Sequence, residues 1–150
     1  MLDCSSPIDL LQLAGEVVGS MAHLALACGR SIALTGAEHP VSITGNAEAI
    51  ADALRNLVEN AIAHTAPGTE VIVEVGCERT LSVLDSGPGI PLDERPRIFD
   101  RFWRGKGARS EGAGLGLAIV MEIVRAHGGN VTVGDRAPRG ARFDVRFRPA

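Results

Sequence analysis

Arg142-Phe143-Asp144-Val145-Arg146-Phe147-Arg148 alternates charged with apolar side chains without a break. Successive side chains of a strand point to opposite faces, so one face of this segment is apolar and the other charged. Such a strand belongs to a sheet covered by helices on one side and wet on the other, which antiparallel pairing permits and all-parallel sheets rarely show. The pattern recurs upstream. Val131 and Val133 precede it, Leu81 and Val83 alternate with Ser82 and Leu84, and Val71, Val73 and Val75 alternate with Ile72 and Glu74. Gly76 to Arg79 turns between those last two strands.

Helices are read from a different spacing. From about Ile8 to Cys28, apolar residues recur at Leu11, Ala14, Val18, Met21, Ala25 and Cys28, with Gly29 as the stop. Asn46 caps a second helix through Ile50, Leu54, Leu57 and Ala61, which Pro67-Gly68 ends. Leu115 to Ala126 is apolar almost all round except at Glu122 and Arg125, as for a helix wedged against a sheet, and Gly128-Gly129 closes it. Ser31–Leu34 and Val41–Thr44 read as short strands able to pair as a hairpin. The expected fold class is α/β: a two-layer sandwich, its sheet mixed but mostly antiparallel, with about three helices on one face.

Composition limits the function. The chain has 150 residues, the size of one domain, here 1–150. Its 15 basic and 18 acidic residues give a net charge of -3, which argues against wrapping nucleic acid or lying on an anionic membrane. Cys4, Cys28 and Cys77 form neither a disulfide framework nor a C-x-x-C metal pair, and fit a reducing cytoplasm. No basic segment leads into an apolar run at Met1-Leu2-Asp3-Cys4, and no stretch approaches the roughly twenty apolar residues of a bilayer span. The chain reads as soluble. Aromatic content of 3% leaves almost no platform for stacking bases.

Three segments carry possible chemistry. Asn56 and Asn60, four apart, share a face of the second helix that is not its apolar one, with Ala63 and His64 continuing the stripe. Magnesium-bound triphosphate offers both a cation and acceptors to such amides; taken alone, the pair suits a solvated face better. Asp85 continues the Leu81, Val83 alternation, so its carboxylate points to the core side and needs a donor such as an adenine amine. Gly87 and Gly89 in Asp85-Ser86-Gly87-Pro88-Gly89-Ile90 let backbone approach a flat ligand, although an Asp at a strand end also begins ordinary turns. Gly112-Ala113-Gly114-Leu115-Gly116-Leu117 opens the third helix, where free N–H groups and the helix dipole bind phosphate. No strand immediately precedes these glycines and the third comes too early, so a dinucleotide fingerprint is excluded; no phosphate-loop run ending in Gly-Lys-Ser/Thr occurs either. A glycine-rich packing turn stays open for this segment alone.

In this order the segments resemble the catalytic domain of sensor histidine kinases, in the GHKL ATPase superfamily with its Bergerat fold. Asn56-Leu57-Val58-Glu59-Asn60-Ala61 looks like the family's asparagine box and Asp85 to Ile90 its first glycine box. Ile98-Phe99-Asp100-Arg101-Phe102-Trp103-Arg104 looks like its phenylalanine box, and Gly112 to Leu117 its second glycine box. The resemblance implies that ATP and Mg²⁺ are bound: Asn60 would coordinate magnesium, Asn56 would lie near the phosphates and Asp85 would take the adenine amine. Residues 91–111 would form a lid, anchored by Phe99 and Phe102, with Arg101 and Arg104 as family-typical basic positions and Lys106 and Arg109 within reach of phosphate. Ala63 and His64 stand where the family often has lysine and tyrosine, which removes one cationic phosphate contact.

The implied reaction is transfer of the γ-phosphoryl group of ATP to a histidine nitrogen. None of His23, His39, His64 and His127 has the neighbours of the family's acceptor histidine, so the chain is expected to bind Mg-ATP without labelling itself. A dimerisation and phosphotransfer hairpin would precede Ser6 in a longer parent, a response regulator would receive the phosphate, and the isolated domain would be monomeric without contacting membrane. An ATP hydrolase of the same superfamily would need a basic glutamate where Asn56 stands. The other alternative is a degenerate nucleotide-binding regulatory module, which Ala63 favours.

Overall fold

A computed structural model of the chain describes residues 2–100 and 116–148. In chain order the elements are β1 (Ser6–Asp9), α1 (Leu10–Ala27), β2 (Ser31–Gly36), β3 (Ser42–Gly45), α2 (Ala47–Ala63), β4 (Glu70–Gly76), β5 (Thr80–Leu84), a 3-10 turn (Arg95–Arg97), α3 (Gly116–Ala126), β6 (Asn130–Asp135) and β7 (Ala141–Arg146). The alternating segments make one five-stranded sheet, ordered β2-β4-β5-β7-β6. Only β2 and β4 run parallel; the other three pairs are antiparallel. Val71, Val73, Val75, Leu81, Val83, Phe143 and Val145 point inward and are at most 2% exposed. They meet the buried stripes of the three helices. Burying a side chain such as Leu54 of α2, 0% exposed, stabilises by about 1.5–3 kcal/mol.

The outer face carries the charge that the alternation required. Arg142 donates to Asp144 at 2.8 Å and to Glu74 at 3.1 Å, and the buried Ser82 hydroxyl donates to Asp144. This face is therefore wet but internally paired.

Two expectations are corrected. The segments at 31–34 and 41–44 do not form a hairpin: β2 pairs with β4, and β3 pairs antiparallel with β1, a four-residue strand around Pro7 whose periodicity was too short to read. The first helix starts at Leu10 because Asp9 caps it, accepting from Leu11 N at 3.0 Å and also from Val41 N at 3.3 Å. Its buried stripe is Leu10, Leu13, Ala14, Val17, Met21 and Ala25, while Leu11, Val18 and Cys28 flank it. By length and composition α1, with mean hydropathy 1.4, could cross a membrane; here its apolar stripe lies in the core.

Candidate functional site

Helix α2 is the axis of the site. Asn46 caps it, its side chain accepting from Ala49 N at 3.0 Å, and Ile50, Leu54, Leu57, Val58 and Ala61 bury one face. Asn56 and Asn60 are half-buried on the other. The Asn56 amide donates back to Asp52 O at 2.9 Å, which turns its Oδ1 toward the start of α3. There Gly116 lies so near that a Cβ on it would stand 3.2 Å from that oxygen. One turn on, the Asn60 side-chain amide bonds to no other described residue. Its backbone carbonyl is occupied, accepting from His64 N at 3.1 Å and from His64 Nδ1 at 2.8 Å.

Asp85 follows β5 and is 3% exposed. Its Oδ1 accepts from Gly87 N at 2.9 Å and from Ala141 N at 3.4 Å, and no other described residue donates to Oδ2. Burial pushes this carboxyl above its ordinary value, against the opposing pull of those two N–H groups and of His64 and Arg136. Gly87 packs on the His64 carbonyl, leaving no room for a side chain. The loop after Asp85 thus abuts the end of α2, just as Gly116 abuts its middle. Asn60 lies between the two contacts, one turn from each.

Of the other predicted residues, Gly89 has a positive φ of 78°, as its tight turn requires, and Ile90 packs on the core edge. Leu117 is buried at the start of α3. Phe99 stands edge-on to Phe143 with ring centroids 6.2 Å apart, and the neighbouring Ile98, 1% exposed, is a core residue that the sequence reading did not single out. Arg101, Phe102, Arg104, Lys106, Arg109, Gly112, Gly114 and Leu115 lie outside the described residues. Arg139, also missed, donates to Gly87 O at 3.1 Å. Nothing in its local spacing distinguished it from a solvated arginine.

The residues present fit a magnesium nucleotide. A buried carboxylate with one oxygen that takes no donor among the described residues suits an exocyclic amine, and an amide oxygen without a partner among them suits a hard cation. Among the described residues no group of three or more His, Cys, Asp and Glu could hold a metal, so magnesium would rely on Asn60 and the phosphates themselves. A cleft of about 910 Å³ opens on the flank of the Gly89–Ile90 loop, between residues 88–94 and 135–140. Asn56, Asn60 and Asp85 are not among its walls, so it adjoins the site without being it.

Comparison with known proteins agrees with this geometry. The family model described as histidine kinase-, DNA gyrase B-, and HSP90-like ATPase matches residues 45–150. The probable sensor histidine kinase TcrY of Mycobacterium tuberculosis is 41% identical over 147 residues, covering 94% of this chain and 30% of that protein. The sensor histidine kinase CusS of Escherichia coli O157:H7 is 37% identical over 144 residues, covering 91% of this chain and 30% of that protein. The chain thus spans under a third of the length of either relative. Among solved structures, the mycobacterial sensor histidine kinase MprB superposes with a TM-score of 0.82 at 29% identity, covering 97% of this chain and 99% of that one. Full-length ShkA in complex with AMPPNP gives a TM-score of 0.75 at 32% identity, covering 97% of this chain and 32% of that one. With its asparagines, buried aspartate and glycine contacts in the places described, the chain belongs to the histidine kinase-, DNA gyrase B- and HSP90-like ATPases, a family of ATP-binding domains whose model matches it over residues 45–150.

Proposed function

We propose that this chain binds Mg-ATP between α2, the Asp85 loop and the start of α3, and that within a longer sensor histidine kinase it delivers the γ-phosphoryl group to a histidine on a separate dimerisation hairpin. The observation that carries the reading is Asp85: a buried carboxylate whose Oδ2 has no donor among the described residues, held beside the end of α2 by the close approach of Gly87 to the His64 carbonyl. Asn60 would hold magnesium, which supplies charge neutralisation on the phosphates. Asn56 and Gly116 set the spacing between the two helices that face the nucleotide. In the transfer, the acceptor imidazole nitrogen forms a bond to the γ-phosphorus as the bond to the ADP oxygen breaks. The chain's contribution is positioning and electrostatics. A response regulator then takes the phosphate from the hairpin.

Water-driven hydrolysis is disfavoured by the same residues. Asn56, at the position a basic glutamate would occupy, donates to Asp52 O and is no base, and Glu59 is exposed on another face of α2. The test adds the phosphoacceptor hairpin of the parent kinase to the chain with radiolabelled ATP. Acid-labile phosphate on the hairpin, and none on the chain alone, is expected. Stable phosphate on the chain, or hydrolysis with no transfer, contradicts the reading.

A further inference from the structure

We propose that His127 is a positioning residue of the nucleotide site: it pins the end of α3 to the first residue before α2, and so fixes where Gly116 stands along α2 relative to Asn56 and Asn60. The inference rests on the nucleotide reading above. His127 follows the last residue of α3 and is 8% exposed. Its Nδ1 lies 2.7 Å from Ile123 O. A carbonyl only accepts, so the proton sits on Nδ1 and Nε2 is left as an acceptor. Asn46 N–H fills that acceptor at 3.0 Å. Asn46 is the capping residue of α2, so the imidazole ties one helix end to the other.

The surroundings are shaped to this contact. A Cβ on Gly45 would come within 2.7 Å of His127 Cδ2 and 2.9 Å of Nε2, so glycine there admits the ring. Phe147 holds the ring edge-on, centroids 6.2 Å apart at 82°. Along the helix pair the contacts recur at two places only a few turns apart. Asn46 meets His127 at one, and Asn56 meets Gly116 at the other, in opposite chain directions. Two fixed points on two stiff helices set their axial register. Loss of one point permits a slip on the order of one residue, about 1.5 Å, which suffices to misplace a phosphate contact.

Three full-chain variants separate this role from packing. His127→Gln keeps an acceptor oxygen at the reach of Nε2, His127→Asn is too short, and His127→Leu fills the volume with no acceptor. Calorimetric titration with Mg-ATP and with adenosine reads the difference, because adenosine does not extend to α3. The expected result is a loss of about tenfold in Mg-ATP affinity for the Leu and Asn variants, recovery to within about threefold for Gln, and equal adenosine affinity throughout. Should the Leu variant not fold, Asn against Gln decides. Wild-type affinity for Mg-ATP in the Asn variant, or parallel loss of adenosine and Mg-ATP, overturns the proposal. A wild-type chain that binds neither ligand overturns the nucleotide reading itself and this role with it.

Discussion

Gly116 rests on Asn56: a single added carbon at position 116 would stand 3.2 Å from the asparagine Oδ1. This contact joins the asparagine helix to the glycine-rich helix start. The sequence offered the two segments separately, sixty residues apart, and the fold makes them one wall.

Gly116→Ala tests that wall. The Asn56 amide must give by a few tenths of an ångström, straining its bond to Asp52 O, whereas alanine is a better helix former by up to about 1 kcal/mol. The variant is therefore expected to hold or gain thermal stability while losing about threefold to tenfold in Mg-ATP affinity. Melting curves and calorimetry on the same preparation check both halves.

Asn60→Ala removes an amide that bonds to no other described residue. Stability should be unchanged or slightly raised, since alanine favours helix. Nucleotide affinity should fall, and the residual affinity should no longer respond to magnesium. Titration of ATP with magnesium and with chelator measures this. An unaltered magnesium dependence would remove Asn60 from the metal.

Asp85 gives a pH signature with a definite sign. Its folded-state pKa is raised above the ordinary 3.8 by burial. Its contribution to stability is thus fully present below that value and is lost as pH rises through the raised one, where an ionised carboxylate must stay buried. Asp85→Asn is neutral at every pH. The ligand-free variant should melt above wild type at about pH 7, and the gap should narrow toward about pH 4. At neutral pH it should also lose about tenfold or more in ATP affinity, because the amide offers a donor where the adenine amine needs an acceptor. Thermal melts at the two pH values and one titration suffice.

Arg142→Ala is the counterpart away from the site. Arg142 bridges Glu74 and Asp144 on the outer face of the sheet, with all three side chains about a third exposed. Solvent screening limits such pairs, so the loss should be about 1 kcal/mol or less, with ATP affinity unchanged. Urea unfolding and calorimetry read the two.

Much of this was legible from residues alone. The sheet and the inward Asp85 followed from period-two alternation, and Asn46 announced α2 because capping chemistry is local. The asparagine pair on one helix face was a matter of spacing. What escaped was long-range. No local pattern shows that Ser6–Asp9 will pair with Ser42–Gly45, or that an arginine at 139 will reach back to Gly87 O. His127 escaped for the same reason: its partner Asn46 lies 81 positions away, and an imidazole before Gly128-Gly129 looks like any helix end. Ile98 was hidden by its charged, proline-broken surroundings, which suppress periodicity.

A crystal structure of the chain with magnesium and a non-hydrolysable ATP analogue tests the central claim most directly. The account predicts the adenine amine within hydrogen-bond distance of Asp85 Oδ2, magnesium on Asn60 Oδ1, and the phosphates directed to the start of α3 at Gly116. Nucleotide seated instead in the cleft between residues 88–94 and 135–140, with Asn60 and Asp85 untouched, would contradict it.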